Sequence, residues 1–152
     1  MPTWGSRKRD DRGAAVVETA LCICFVVLPL VFGVIAYAYM LSFRQTVTQA
    51  AAEGARAAAV APTGTSDATR QAAAITAISN ALSSGTGGLT CSSQYVTCTA
   101  VPVTSCGDGS TNNCFQVTVS YPYRDHSLLP SIPGLGFTLP STISYSAMAE
   151  VS

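Results

Sequence analysis

From residue 19 to residue 43 the chain carries no charged side chain, and Leu, Val, Ile, Phe, Ala and Tyr fill most of these 25 positions. A bilayer core needs about 20 predominantly apolar residues in a helix, so this run is long enough to span one. Alanine dominates residues 45–60, and as the best helix former it should carry the same helix onward. Pro62, Thr63, Gly64 and Thr65 end it. A second helix is predicted over residues 67–83. Ser66 or Asp67 can cap its start, and Ile75, Ile78 and Leu82 recur at spacings of three and four to form one apolar stripe. Gly85, Thr86, Gly87 and Gly88 then break the pattern and the apolar period falls to two. Strands are predicted over residues 94–103, 115–123 and 142–151. Phe115, Val117, Val119 and Tyr121 alternate with polar residues, as do Ile143, Tyr145, Ala147, Ala149 and Val151, the mark of a half-buried antiparallel sheet. Residues 128–140 hold three prolines and two glycines among Leu, Ile and Phe, an irregular apolar loop expected to bury against the sheet. The pattern gives an α+β fold. A long N-terminal membrane-spanning helix continues into a stalk, followed by a small exported head with one helix packed on a short antiparallel β-sheet.

Composition sharpens this reading. The 152 residues are 48% hydrophobic and 11% charged, against about 25% charged in a soluble domain. Disorder needs low hydrophobicity and high net charge, and this chain has neither. Nucleic-acid binding has little support, because beyond residue 12 the only basic residues are Arg44, Arg56, Arg70 and Arg124, scattered rather than striped. Eight basic and eight acidic residues give a formal net charge of zero, but they are unevenly placed. Arg7, Lys8, Arg9 and Arg12 precede the apolar run, against Asp10 and Asp11. The positive-inside bias therefore places the N-terminus in the cytoplasm and the part beyond residue 43 outside. The run is too long for the apolar region of a secretory signal, about 7–15 residues.

Export gives meaning to the cysteines. Cys91, Cys98, Cys106 and Cys114 lie in a Ser/Thr-rich region and suggest two disulfides in an oxidising exterior. Of the three possible connectivities the local pairs Cys91–Cys98 and Cys106–Cys114 are favoured, because residues 107–113 read as a turn whose ends can meet. Cys22 and Cys24 sit in the apolar run as small hydrophobes. The expected organisation is a leader at 1–13, a transmembrane helix at 14–43, a helical stalk at 44–61 and a disulfide-stapled head at 62–152.

Glu18 stands at the start of the apolar run, where a charge is costly and points to function. Before it comes Gly13-Ala14-Ala15-Val16-Val17. A short basic leader, a glycine, four small apolar residues, a glutamate and a long apolar helix resemble a type IV prepilin. Leu28-Pro29-Leu30 with Gly33 resembles the membrane-helix motif of TadE-like pseudopilins of the tight-adherence (Flp pilus) system. Arg44-Gln45 and Ala50-Ala51-Ala52-Glu53-Gly54-Ala55-Arg56-Ala57-Ala58 resemble that family's juxtamembrane motif. Thr19 departs from the aromatic residue the family typically has there. The resemblance covers roughly residues 12–60. It implies cleavage by prepilin peptidase between Gly13 and Ala14, and a pairing of Glu18 with a new α-amine that sets subunit register. It also implies partnership with other pilin and pseudopilin subunits and the Tad membrane assembly platform, in a minor subunit serving adhesion or secretion. Such a cut leaves the leader at +2 and the mature chain at −2.

The remaining residues offer no catalytic chemistry. Asp125 and His126 are adjacent without a nucleophile motif. Asp108, Ser110 and Asn112 have the alternate spacing of a calcium loop, but Asn113 and Val119 stand where it needs Gly and Glu. No phosphate-binding glycine loop or zinc pattern occurs, so neither a metal nor a cofactor is expected. Glu53 and Arg56 read as an exposed helical pair, with partner contact as the alternative, and Pro29 should bend its helix. The competing function is an uncleaved, membrane-anchored extracellular binding module.

Overall fold

Helix α1 (Asp11–Cys22), a π-helical turn (Ile23–Val27) and helix α2 (Leu28–Val60) follow one another in the computed structural model, which describes residues 11–62, 64–107, 112–126, 128 and 140–151. The π turn stands where the sequence predicts a bend. Pro29 has no N–H, and its ring crowds the carbonyl four residues back, that of Phe25. Widening the preceding turn so that the Leu28 N–H bonds to the Ile23 carbonyl accommodates the ring without ending the helix. Gly13–Val60 is long and apolar enough to cross a membrane.

The chain divides into two compact units, Met1–Ala38 and Tyr39–Ser152. In the first, Val16, Phe25, Leu30 and Val34 are each more than half exposed. A continuous apolar surface of this kind is a poor match for water and a good one for lipid.

The second unit is built on a three-stranded antiparallel sheet in the order β1 (Thr97–Val103), β2 (Cys114–Tyr121), β3 (Ile143–Glu150). Central strand β2 alternates as expected, with Phe115, Val117, Val119 and Tyr121 buried. In β3, Ile143 is buried and Ala147 and Ala149 are half-buried, whereas Tyr145, expected inward, is 43% exposed. Helix α2 contributes Phe43, Val47, Ala50, Ala51, Gly54, Ala55 and Ala58 to the core, a repeat of three and four on one helical face. Helix α3 (Asp67–Thr86) contributes Ala74, Ile78 and Leu82. The part of α2 expected as a stalk thus supplies one wall of the core.

Glycine allows the close approach. A Cβ at Gly54 would lie 2.5 Å from Ile78 Cγ1 and 3.2 Å from Val117 Cγ1, so α2, α3 and β2 meet at that point. Helix α3 runs three residues past the predicted end because Gly85 is tolerated within it, its missing side chain leaving room for Thr46. The break comes at Gly87, whose φ of 74° is left-handed and whose N–H bonds to the Ser83 carbonyl. At the other end Ser66 caps the helix, accepting from the Thr69 N–H at 3.4 Å.

The strands are shorter than predicted. Residues before Thr97 are taken by turns, in which the Val96 N–H bonds to the Ser93 carbonyl. Pro122, with no N–H to give, ends β2, and a turn closed by the His126 N–H on the Pro122 carbonyl follows. The predicted apolar loop lies outside the described residues except for Leu128, which packs against the core, and the exposed Pro140.

Neighbouring pairs fix the direction of each element. Arg70 lies against Ala58, Ile78 against Gly54, and Gly85 against Thr46, while Val117 meets Gly54 and Tyr121 meets Phe43. Helix α3 and strand β2 therefore both run antiparallel to α2. The second unit has a Tyr39 end, with the close of α3 and residues 121–126, and a Val60 end, with the β1–β2 connection and Glu150.

Candidate functional site

Gly13 is the third residue of α1, exposed, and a side chain built there would meet nothing within 4 Å. Glu18, five residues on, is also exposed. The next residue, Thr19, donates its hydroxyl to the Ala15 carbonyl at 2.8 Å, which satisfies the hydroxyl inside an apolar segment. Ala15, Val16, Thr19, Ala20 and Ile23 line an open, shallow hollow on this helix. Pro29 sits just beyond the π turn, and nothing lies within 4 Å of the space a Gly33 side chain would take. Cys22 and Cys24 are free and exposed. The basic residues Arg7, Lys8 and Arg9 of the expected leader lie outside the described residues.

The juxtamembrane residues belong to the second unit and divide by burial. Arg44, Glu53 and Arg56 are exposed, and among the described residues no ion pair joins Glu53 to Arg56. Gly54 is buried with Ala50, Ala51, Ala55 and Ala58. The alanine-rich motif thus has a physical use within the chain itself, letting α3 and the sheet approach α2 closely. The expected site residues are divided between the two units, Gly13, Glu18, Pro29 and Gly33 in the first and Arg44, Glu53, Gly54 and Arg56 in the second.

Both expected disulfides are present. Cys91–Cys98 spans Cα atoms 5.6 Å apart and Cys106–Cys114 spans 5.3 Å, separations that suit a disulfide. The first staples the α3–β1 connection, where the Cys91 N–H also bonds to Ser79 Oγ at 3.3 Å. The second closes the β1–β2 connection. There Asn112 donates its side-chain amide to Glu150 at 2.8 Å, a structural use for one residue of the calcium-like spacing. Asp108 and Ser110 lie outside the described residues. Among the described residues no group of three or more His, Cys, Asp or Glu side chains could hold a metal ion.

Two arrangements were not read from the sequence. Arg70 is 4% exposed, and its guanidinium donates to the Ala58 carbonyl at 2.9 Å, satisfying a group in the last turn of α2. Its spacing of four from Ala74, Ile78 and Leu82 placed it on the buried stripe, a signal masked by its charge. The other is an aromatic cluster. The ring of Phe43 lies 5.2 Å from that of Tyr121 and 5.5 Å from that of Tyr123, and Tyr95 stacks on His126 at 3.5 Å. Tyr121 donates its hydroxyl to the His126 carbonyl at 2.7 Å. Burial, with Tyr95 close by, pushes the Tyr121 phenol above its ordinary value. Burial also raises Tyr123, with Tyr39 and Tyr121 as its neighbours.

Comparison with known proteins adds one match. No curated protein and no solved structure matches the chain. A family model described as TadE-like protein matches residues 13–56. The match begins at Gly13 and ends at Arg56, covering the apolar helix and most of the juxtamembrane motif. Residues 13–56 of this chain are a TadE-like segment.

Proposed function

We propose that this chain is a minor, pilin-like structural subunit, a TadE-like pseudopilin that is cut between Gly13 and Ala14 by prepilin peptidase and helps to initiate, anchor or cap a Flp-type pilus. The observation that carries this reading is the coincidence of three features: a TadE-like match starting at Gly13, a glutamate five residues later, and an apolar helix whose side chains are left exposed. The N-terminus faces the cytoplasm and the cysteine-stapled unit faces outward. The protein is the peptidase's substrate and has no catalytic role. It works through contacts with other pilin and pseudopilin subunits, the Tad assembly platform and the lipid bilayer, in adhesion or secretion.

Local chemistry supports the cut. A peptidase needs the scissile bond extended, and Gly13 weakens its own helical turn by about 1 kcal/mol relative to alanine. Cleavage creates an α-amine that is largely cationic near neutral pH, a costly charge in apolar surroundings unless a carboxylate meets it. Glu18, of the same or a neighbouring subunit, supplies that carboxylate.

Intact-mass analysis of the membrane fraction tests the cut. The chain should begin at Ala14 when it is co-expressed with active prepilin peptidase and at its leader when the peptidase is inactive. A leader retained in both cases would instead favour the uncleaved anchored binding module.

A further inference from the structure

The exposed aromatic side chains of the second unit are unevenly placed. Tyr39 is 40% exposed and Tyr95 is 39% exposed, both at the Tyr39 end, and Tyr145, 43% exposed, lies two residues along β3 from Ile143, the partner of Tyr121, on the same half of the sheet. The position of Tyr39 and Tyr95 follows from a chain of contacts. Phe43, the last residue of the uncharged run and four positions from Tyr39 on the same helix, packs against Tyr121 and Tyr123. The Tyr121 hydroxyl then holds the His126 carbonyl, and the His126 ring carries Tyr95 stacked upon it. Among the described residues the Val60 end exposes no aromatic side chain: Thr104, Ser105, Gly107, Asn112, Asn113 and Glu150 are exposed there, together with the aliphatic Val60, Val101 and Met148.

Tyrosine favours the membrane–water interface, where its ring meets acyl chains and its hydroxyl meets headgroup water. The cluster stands where the uncharged run stops and Arg44, an exposed cation suited to lipid phosphate, begins. We propose that the Tyr39 end of this unit is a membrane-contact surface, with Tyr39 and Tyr95 set into the headgroup layer of a phospholipid bilayer. This rests on the membrane-anchored reading given above. The head then rests on the membrane before assembly instead of standing clear of it, and its Val60 end, free of exposed aromatics among the described residues, points to the exterior.

Depth-dependent quenching tests the contact on the full chain. Trp4 is the only tryptophan, so a Trp4→Phe background leaves the chain dark for single reporters at Val34, Tyr39, Tyr95 and Asn112. Each reporter is reconstituted in phosphatidylcholine–phosphatidylglycerol vesicles with and without lipids brominated high on the acyl chain. Val34→Trp and Tyr95→Trp should lose emission to the brominated lipid, with Tyr39→Trp following them, while Asn112→Trp keeps its emission. Quenching of Val34→Trp without quenching of Tyr95→Trp overturns the contact while leaving the anchored helix in place. The same holds if Tyr95→Trp is blue-shifted but unquenched, which means that protein covers this end. Quenching of Tyr39→Trp alone also overturns it, because proximity to the apolar run accounts for that signal. An unquenched Val34→Trp removes the anchored reading, and the contact falls with it.

Discussion

Glu18 and Gly54 lie within the same TadE-like segment but do different physical work. Gly54 is a packing residue. Alanine in its place gains helix propensity of about 1 kcal/mol, but its Cβ drives into Ile78, and overpacking of a filled core costs about 1–3 kcal/mol. Gly54→Ala should therefore lower the unfolding midpoint of the detergent-solubilised chain. Adding Ile78→Ala, which removes the obstructing Cγ1 and Cδ1, should cost less in the Gly54→Ala background than it does alone, because it also relieves the clash. Simple additivity of the two changes in denaturant titrations would show that the contact is not the cause. Glu18 is exposed, so Glu18→Gln should leave folding and cleavage intact while reducing co-assembly and pilus output. Unchanged output from that variant would remove its role in setting register. The sequence revealed Glu18 because a charge in an apolar run is conspicuous. It did not place Gly54 in the chain's own core, since helix spacing alone does not say what lies opposite.

Elements show the same division between what a local pattern specifies and what only packing decides. The alternation in β2 and the stripe on α3 were legible because burial of one face imposes period two on a strand and three to four on a helix. The π turn before Pro29 could be anticipated only as a bend, since proline removes a hydrogen bond without dictating how neighbouring carbonyls are rehoused. The aromatic cluster joining α2 to the end of β2 left no local signal, because Phe43 and Tyr121 are distant in sequence. Its phenols make it visible in alkali. Tyr121 and Tyr123 are raised from an ordinary value of 10.0, so above that pH the unfolded chain has released protons that the folded chain still holds. Their stabilising share is complete below pH 10.0 and is lost as the pH rises through the folded values. The denaturation midpoint, with disulfides intact, should fall once pH passes about 10, and substitution of both tyrosines by phenylalanine should flatten that fall. A midpoint that holds or rises in this range would show that these phenols ionise equally well in both states.

The second unit buries one face of its sheet, and this limits the stability its core can supply. The opposite face carries Thr97, Thr99, Ser144 and Ser146 exposed to solvent, with Thr118 and Ser146 sharing a hydrogen bond at 2.7 Å. A head of this size with a single-layer core gains from covalent closure. The two bridges span 7 and 8 residues, so chain-entropy arguments assign each a similar contribution, about 2–3 kcal/mol. Their surroundings differ. Cys114 is 1% exposed at the head of the central strand, whereas Cys91 and Cys98 are half-buried beside α3. Replacing Cys91 and Cys98 by alanine should cost little beyond the closure entropy. Replacing Cys106 and Cys114 by alanine should cost more, because it also empties a buried position at the start of β2, the strand both edges pair with. Denaturant midpoints of the two double variants, each with its remaining bridge intact, decide the point. Equal losses would mean that closure of the unfolded chain accounts for both bridges and that the buried sulfur at Cys114 adds nothing to the folded state.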